Sequence, residues 1–328
     1  MTIIAAESLL LAFVVGVTID FLFGDPSNKY HPVAWLGRLI EFFVPKLKNT
    51  SNCAKKERAS GIIFSTSLII VFGAIIHTCA YVSLHLLGSV VMIVLCAVTL
   101  KITIAIRGME KHARAIMSAL DRRDLANAQY NLSMIVRRDT RNLDEQHVIS
   151  GTIECIGEST VDGITSPLFY YSFFGPSGAF VYRIINTLDS MLGYKNDYYK
   201  NIGWMSATLD TIANYIPARI TAFLMVISAK AIGADWKRSM QILRRDHNRT
   251  LSPNAGYPMA TMAGALRIKL EKIGFYSLGD EYEPFSIEKC KTAISIMKLT
   301  TILFCLVFSF PLITILHLVG WWRILFGL

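Results

Sequence analysis

Charge is scarce in this chain. Asp, Glu, Lys and Arg make up 17% of its 328 residues, against 53% hydrophobic side chains. Soluble globular chains carry roughly 25% charged residues, so an ordinary water-soluble domain is excluded and a bilayer protein is indicated. The mean hydropathy of +0.43 agrees. Acids are the scarcer sign, 24 against 33 Lys and Arg, a formal charge of +9. In a membrane protein that excess belongs in cytoplasmic loops facing anionic lipid, and it also suits an anionic substrate. No basic helix or recognised motif supports nucleic acid as a partner. The six cysteines are scattered without metal-ligand spacing, which argues against disulfides and zinc and leaves reduced packing residues. No basic region precedes the first apolar run, so a cleaved signal peptide is not expected and that run should stay. There is no GxxxxGK phosphate loop, no GxSxG elbow and no HExxH.

What the chain does have is apolar runs at 3–23, 61–87, 88–106, 166–185, 207–234 and 299–322. About 20 apolar residues suffice to cross a bilayer as a helix. The run at 166–185 is interrupted by Gly175-Pro176-Ser177-Gly178, so each half is too short to span alone. The sequence therefore predicts an all-α, polytopic integral membrane protein with broken or re-entrant helices, built as one domain over 1–328. Residues 107–138 alternate charged and apolar side chains at helical spacing, with Asp124 as an N-cap candidate. They read as two amphipathic helices outside the bilayer. Lys101 is expected to snorkel, and Trp321 and Trp322 to anchor the last span at an interface. The small-residue run ATMAGAL at 260–266 suits close packing. The basic loops place 24–60 and 107–165 on the same, cytoplasmic side. The basic block 236–298 joins them if 166–234 crosses an even number of times.

The chain is organised around IECIGESTVDGITSPLFY at 153–170. Glu154, Glu158 and Asp162 recur every four residues, so a regular helix lines them along one narrow face. Like charges at that spacing repel, and Gly163 and Pro167 are expected to stop the helix. The ladder suits either a cation site at a membrane edge or a solvated helix face. Arg137, Arg138 and Arg141 precede it, placed either for salt bridges or for a phosphate. Asp25 and His31 lie in a Gly/Pro turn after the first span, as ligands, acid–base groups or plain turn formers. Arg183, Asn186 and Ser190 share a helical face with Asp189 beside it. Asp210, Asn214, Pro217 and Thr221 share another, where polar groups in an apolar segment read as functional. His77 and His85 read as buried hydrogen-bonding groups.

Gly24-Asp25-Pro26 with His31-Pro32-Val33 and Gly37 resembles the opening motif of the CbiB/CobD family, the adenosylcobinamide-phosphate synthases of cobalamin assembly. The resemblance runs on through Arg138-Asp139, Glu154, Glu158 and Thr160-Val161-Asp162-Gly163 to Pro167. It continues through Asn186 to Met191, Gly193-Tyr194-Lys195, Leu209-Asp210, Asn214-Tyr215 and Pro217-Ala218-Arg219. It closes with Ser252 to Gly256 and Met262 to Leu266. Ser159 stands where the family's ENTVDG has asparagine, and Met259 where an acid commonly follows Pro258. The Asp162-Gly163 pair lacks a following Ala-Arg, which counts against a CDP-alcohol phosphotransferase.

The resemblance implies an ATP-dependent carbon–nitrogen ligase. It would join aminopropanol, or its O-phosphate, to the free propionate of adenosylcobyric acid, with ATP and Mg²⁺ as cofactors. It implies metal roles for Glu154, Glu158, Asp162 and Asp25, and phosphate contacts for Arg138, Lys195 and Arg219. Asn186, Asp210, Asn214 and Asn254 would position substrates. His31 or Asp189 would take the amine proton, and Glu158 would also be required for catalysis. The aromatic run 168–174 would lie against the corrin. The expected setting is a multi-pass protein of the cell membrane with its site on the cytoplasmic side, in possible association with other late cobalamin-assembly enzymes. The alternative is a non-catalytic membrane sensor or transporter of the same fold.

Overall fold

Long runs of Leu, Ile, Val and Ala free of interior proline wind into helices, and helices satisfy their own backbone groups where water is absent. The computed structural model describes residues 2–25, 29–48, 53–194 and 196–326, with side chains from Glu7 onward. The chain runs α1 (Thr2–Phe23), α2 (Pro32–Lys48), α3 (Ala54–Val82), α4 (Ser89–Thr103), α5 (Ile106–Asp121), α6 (Leu125–Ser133) and α7 (Glu145–Thr160). It continues as α8 (Ser166–Leu192), α9 (Trp204–Ala213), α10 (Tyr215–Ala231), α11 (Trp236–Asp246) and α12 (Gly256–Leu266). A small antiparallel hairpin, β1 (Leu270–Lys272) and β2 (Tyr276–Leu278), pairs Leu270 with Leu278. Then come α13 (Ile287–Phe304), α14 (Phe310–Leu318) and α15 (Trp321–Phe326). The all-α expectation holds apart from this hairpin, which the sequence did not announce.

Three helical stretches are long and apolar enough to cross a membrane: Ala54–Leu87, Ser89–Asp121 and Ile287–Leu318. Trp204–Ala213 and Tyr215–Ala231 pass the same test only when taken together. Large side chains on α3 such as Ile63, Ile70 and Ile75 stand exposed, as lipid-facing residues do. The last of these stretches begins well before residue 299, because the Lys and Thr residues of α13 do not interrupt a helix.

The chain forms two compact units. Unit 1 comprises Met1–Ala105, Ser166–Ala213 and Val307–Leu328, and unit 2 comprises Ile106–Thr165 and Asn214–Leu306. Neither is a continuous stretch. In unit 1, α1 packs along α4 so closely that a Cβ on Gly16 would lie 2.8 Å from the Ala97 carbonyl oxygen. Small residues of this kind let helices associate in lipid, where apolar burial drives little. Leu36, Ile40 and Val44 of α2 and Ile184 and Leu188 of α8 share a core with Ile202. In unit 2, α7 is buried along most of its length and packs with α5, α6, α12, α13 and β1. Asp124 and Asp144 cap α6 and α7, accepting from the Asn127 and His147 amides at 3.0 and 2.9 Å. Ser239 of α11 donates to the Thr261 carbonyl of α12 at 2.9 Å, the close packing that ATMAGAL suggested.

Several expectations are corrected. Gly163 and Pro167 do not stop the helix: residues 161–165 loosen into a π turn, and α8 starts with Pro167 in its first turn, where no N–H is required. α8 is interrupted at Gly175 (φ 63°, ψ −151°), beside Pro176, as the Gly-Pro pair suggested. Asp210, Asn214, Pro217 and Thr221 do not form one face. The helix is broken at Asn214, and Pro217 falls in the first turn of α10. Trp322 is buried, donating to the Ile313 carbonyl at 3.2 Å, and Trp321 donates to that of Phe173 at 2.6 Å, so both face protein. Leu168, Phe169 and Tyr171 are core residues, with only Phe174 of that run strongly exposed, so 168–174 is not an open shelf. Lys101 is buried rather than snorkelling. All six cysteines are free thiols, with Cys53 and Cys79 exposed. His85 hydrogen-bonds the Phe326 carbonyl at 3.0 Å and His77 stacks on the Phe326 ring, but His85 is exposed and His77 half-buried, so neither is the buried group expected.

Candidate functional site

Unit 2 gathers most of the polar groups singled out in the sequence. α7 carries Glu154 and Glu158 one turn apart, and the π turn that follows carries Asp162. π turns inside helices recur at functional sites. Here Thr165 sits 2.6 Å from Thr221 of α10, oxygen to oxygen, and also donates to the Thr160 carbonyl at 3.0 Å. That pair ties the π turn to the helix bearing Arg219. α12, led in by Asn254, packs on both α7 and α10.

The carboxylate ladder divides. Glu154 is buried and Glu158 is exposed, with Asp162 between those extremes. Both oxygens of Glu154 are engaged. Oε1 accepts from Ser150 at 2.9 Å and faces Arg138 at 3.4 Å, and Oε2 accepts from the Tyr276 hydroxyl at 2.9 Å. Burial pushes the Glu154 carboxyl up, against the pull of Arg138, Tyr276 and Ser150. Burial and the neighbouring Glu154 carboxylate push the Tyr276 phenol up as well, so it stays a donor. Ser150 also accepts from the Glu271 amide at 3.1 Å, which pins the hairpin to α7. Glu154 is therefore not an open ligand. Among the described residues no three His, Cys, Asp or Glu side chains form a metal-holding group. Of the three acids in unit 2, Glu154 is sealed by its partners and Asp162 falls in the π turn rather than on the regular helix of α7; Asp25 lies in unit 1. Glu158 is exposed and Asp162 half-buried, and both are of the residue type magnesium takes, an ion commonly held by one or two carboxylates plus substrate phosphates.

Arg138 lies beside Glu154, and a second cation, Arg219, is carried on α10. The Arg138 guanidinium fills space left by Gly151, where a Cβ would collide with it, and its Nε is buried without a hydrogen-bond partner among the described residues. Arg219 stacks between Tyr215 and Tyr257, 3.4 and 4.3 Å from the ring centroids, and donates to Asn254 Oδ1 at 3.3 Å. His247 packs against Tyr257 with centroids 4.6 Å apart. Asn214 is buried at the start of α10. Cys155 supplies no nucleophile, because burial and then the Glu158 charge push its thiol up to about 12. Elsewhere in unit 2, a hollow of about 550 Å³ is lined by Asp235, Arg267, Glu283 and Lys289, whose charges largely match one another.

Unit 1 holds the rest of the expected residues in two clusters. In the first, Lys101 lies 3.3 Å from Asp20 and 2.5 Å from Asp25. His31 Nε2 lies 3.5 Å from Asp25, while His31 Nδ1 accepts the Val33 amide at 3.2 Å. That second bond assigns the neutral ring's proton to Nε2, facing Asp25. Burial pushes the Asp25 carboxyl up, but His31 and Lys101 outweigh it and hold it below the usual range. In the second cluster, Arg183 caps the end of α4 through the Thr103 carbonyl and donates to Asn186 Oδ1 at 3.2 Å. Asn186 in turn donates to Asp210 at 3.4 Å. Asp189 packs over Gly193, whose amide donates to the Asp189 carbonyl at 2.7 Å. Lys195 lies outside the described residues. The sequence reading missed Lys101, Ser150 and Tyr276. Lys101 left a trace, as a lysine inside an apolar run, whereas Tyr276 left none.

A family profile described as CobD/Cbib protein matches residues 13–303. The "Probable cobalamin biosynthesis protein CobD" of Methanothermobacter thermautotrophicus is 39% identical over 298 residues, covering 91% of this chain and 95% of that one. The "Cobalamin biosynthesis protein CobD" of Leptospira interrogans is 38% identical over 302 residues, 88% and 93% of the two chains. The Thermoplasma volcanium protein "Probable cobalamin biosynthesis protein CobD" is 37% identical over 312 residues, 94% and 99%. No solved structure matches.

Proposed function

The chain belongs to the CobD/CbiB family, and from that premise we propose that it is the ATP-dependent ligase of cobalamin biosynthesis that forms the amide between aminopropanol O-phosphate, or aminopropanol itself, and the free propionate of adenosylcobyric acid. A carboxylate is a poor electrophile and must be activated before an amine attacks it. In the reading proposed, a propionate oxygen takes the γ-phosphoryl group of ATP and ADP leaves. The amine nitrogen then bonds to the carbonyl carbon, phosphate departs, and the nitrogen gives up a proton. Magnesium, when bound, supplies charge neutralisation at the phosphates.

The chain's own residues are assigned accordingly. Glu158 and Asp162 hold the ion, Arg138 and Arg219 meet phosphate oxygens, and Asn254 and Asn214 orient substrate. Glu154 aims Arg138. In unit 1, Asn186 and Asp210 belong to the substrate-orienting set. Asp189 is the proton acceptor favoured over His31, whose Nδ1 lone pair is occupied by the Val33 amide. Lys195 keeps its phosphate role. The proposed setting is a membrane of which the site occupies the cytoplasmic face.

The observation that carries this reading is the division of the ladder. Glu158 is exposed near the end of α7, while Glu154 one turn earlier is buried against an arginine whose Nε has no hydrogen-bond partner among the described residues. The test is reconstitution: purified protein given adenosylcobyric acid, aminopropanol phosphate, ATP and Mg²⁺. Amide product with stoichiometric nucleotide cleavage is expected. A sensor or transporter forms no amide, and that outcome ends the proposal.

A further inference from the structure

α2 shows apolar side chains on two sides. Leu36, Ile40 and Val44 are buried in the core of unit 1, while Trp35, Phe42 and Phe43 stand exposed, Phe42 by 59%. The Lys46 ammonium lies 3.5 Å from the Phe42 ring centroid. α3 begins shortly afterwards, and the stretch Ala54–Leu87 is apolar enough to cross a bilayer. Its first turns expose Lys55, Lys56 and Arg58. The Arg58 guanidinium lies 3.5 Å from the Trp204 ring centroid.

Acids at this corner do not cancel these charges. Glu57 is buried and taken by Lys48 at 2.8 Å and Asn201 at 3.1 Å. Asp197 is paired with Lys200 at 2.7 Å. Glu41, on α2, is the remaining acid. Lys46, Lys55, Lys56 and Arg58 form no ion pair among the described residues, and all four are exposed. Aromatic rings beside cations at the end of a spanning helix match the headgroup layer of a bilayer, with ring bodies toward the acyl chains and charges at the phosphates.

We propose that the α2–α3 corner is a binding surface for anionic phospholipid headgroups. Lys46, Lys55, Lys56 and Arg58 face the phosphates, and Trp35, Phe42 and Phe43 enter the acyl boundary. Each basic residue beside an anionic leaflet contributes about fivefold in affinity, from roughly 1 kcal/mol per residue.

Full-length protein in micelles containing equal phosphatidylglycerol and phosphatidylcholine tests this, with retained lipid counted by native mass spectrometry. The wild type is expected to retain the anionic lipid preferentially, with the preference shrinking as salt rises. K46Q/K55Q/K56Q/R58Q removes the preference, and K46R/K55R/K56R keeps it. If the fourfold variant does not fold, K55Q/K56Q alone decides, since both lysines are exposed. Equal retention of the two lipids by the wild type overturns the proposal, as does an undiminished preference in the glutamine variants. No turnover is read, so failure here is distinct from failure of the ligase reading.

Discussion

Each unit holds one charged knot, and the two knots are built oppositely. In unit 1 a lysine, Lys101, lies between two carboxylates, Asp20 and Asp25, with His31 adding a further donor. In unit 2 a carboxylate, Glu154, faces one arginine at 3.4 Å and is otherwise held by two neutral hydroxyls. The first knot has more than one acid for its cation. The second leaves guanidinium capacity over, with Arg138 Nε buried and without a hydrogen-bond partner among the described residues. A cation shared by two acids fixes a turn. An arginine with donors to spare is suited to receive an anion.

The largest effect should come from emptying the first knot. Lys101→Met leaves two carboxylates without their shared cation, and breaking a buried pair costs about 3–5 kcal/mol. Thermal unfolding of the purified variant should drop accordingly, and adding Asp20→Asn should recover part of the loss. An unchanged midpoint would show that the two knots do not differ in this way. Next is Tyr276→Phe, which removes one donor from a buried carboxylate and should cost about 1.5–3 kcal/mol. It should also raise KM for the phosphate-bearing substrate more than it lowers kcat, because Arg138 loses its aim.

The smallest and sharpest contrast lies in pH. Asp25 has its folded pKa depressed, so its stabilisation is present above the unfolded value of about 3.9 and is lost as pH falls through the folded value. Glu154 has its folded pKa raised, so stability declines as pH climbs from the unfolded value of about 4.3 through the folded one. Asp25→Asn should flatten the acid side of the profile of unfolding midpoint against pH, and Glu154→Gln the rise-side decline. The same slope change from both variants would contradict the opposite construction.

Local features were legible in the sequence because they are set by neighbours along the chain. Helical periodicity gave α5 and α6, the Asp124 cap came from residue type, and Gly175-Pro176 marked the break in α8. Four-residue spacing also brought Glu154, Glu158 and Asp162 forward. What spacing cannot register is the π turn at Val161–Thr165 or the arrival of Tyr276 from more than a hundred residues away, so the sealing of Glu154 was out of reach. The interleaved units were equally hidden, since no stretch of composition marks a chain that leaves a unit and returns to it. The family motifs named residues without saying which are structural.

The most direct test compares turnover of Glu158→Gln and Glu154→Gln in detergent-purified protein at saturating Mg²⁺. The account predicts that Glu158→Gln loses activity by a factor on the order of 10² or more with its unfolding midpoint intact, as expected when electrostatic stabilisation at the reacting groups is removed. It predicts that Glu154→Gln keeps its Mg²⁺ dependence and loses mainly substrate affinity. Full turnover by Glu158→Gln, or a shifted Mg²⁺ requirement in Glu154→Gln alone, would contradict it.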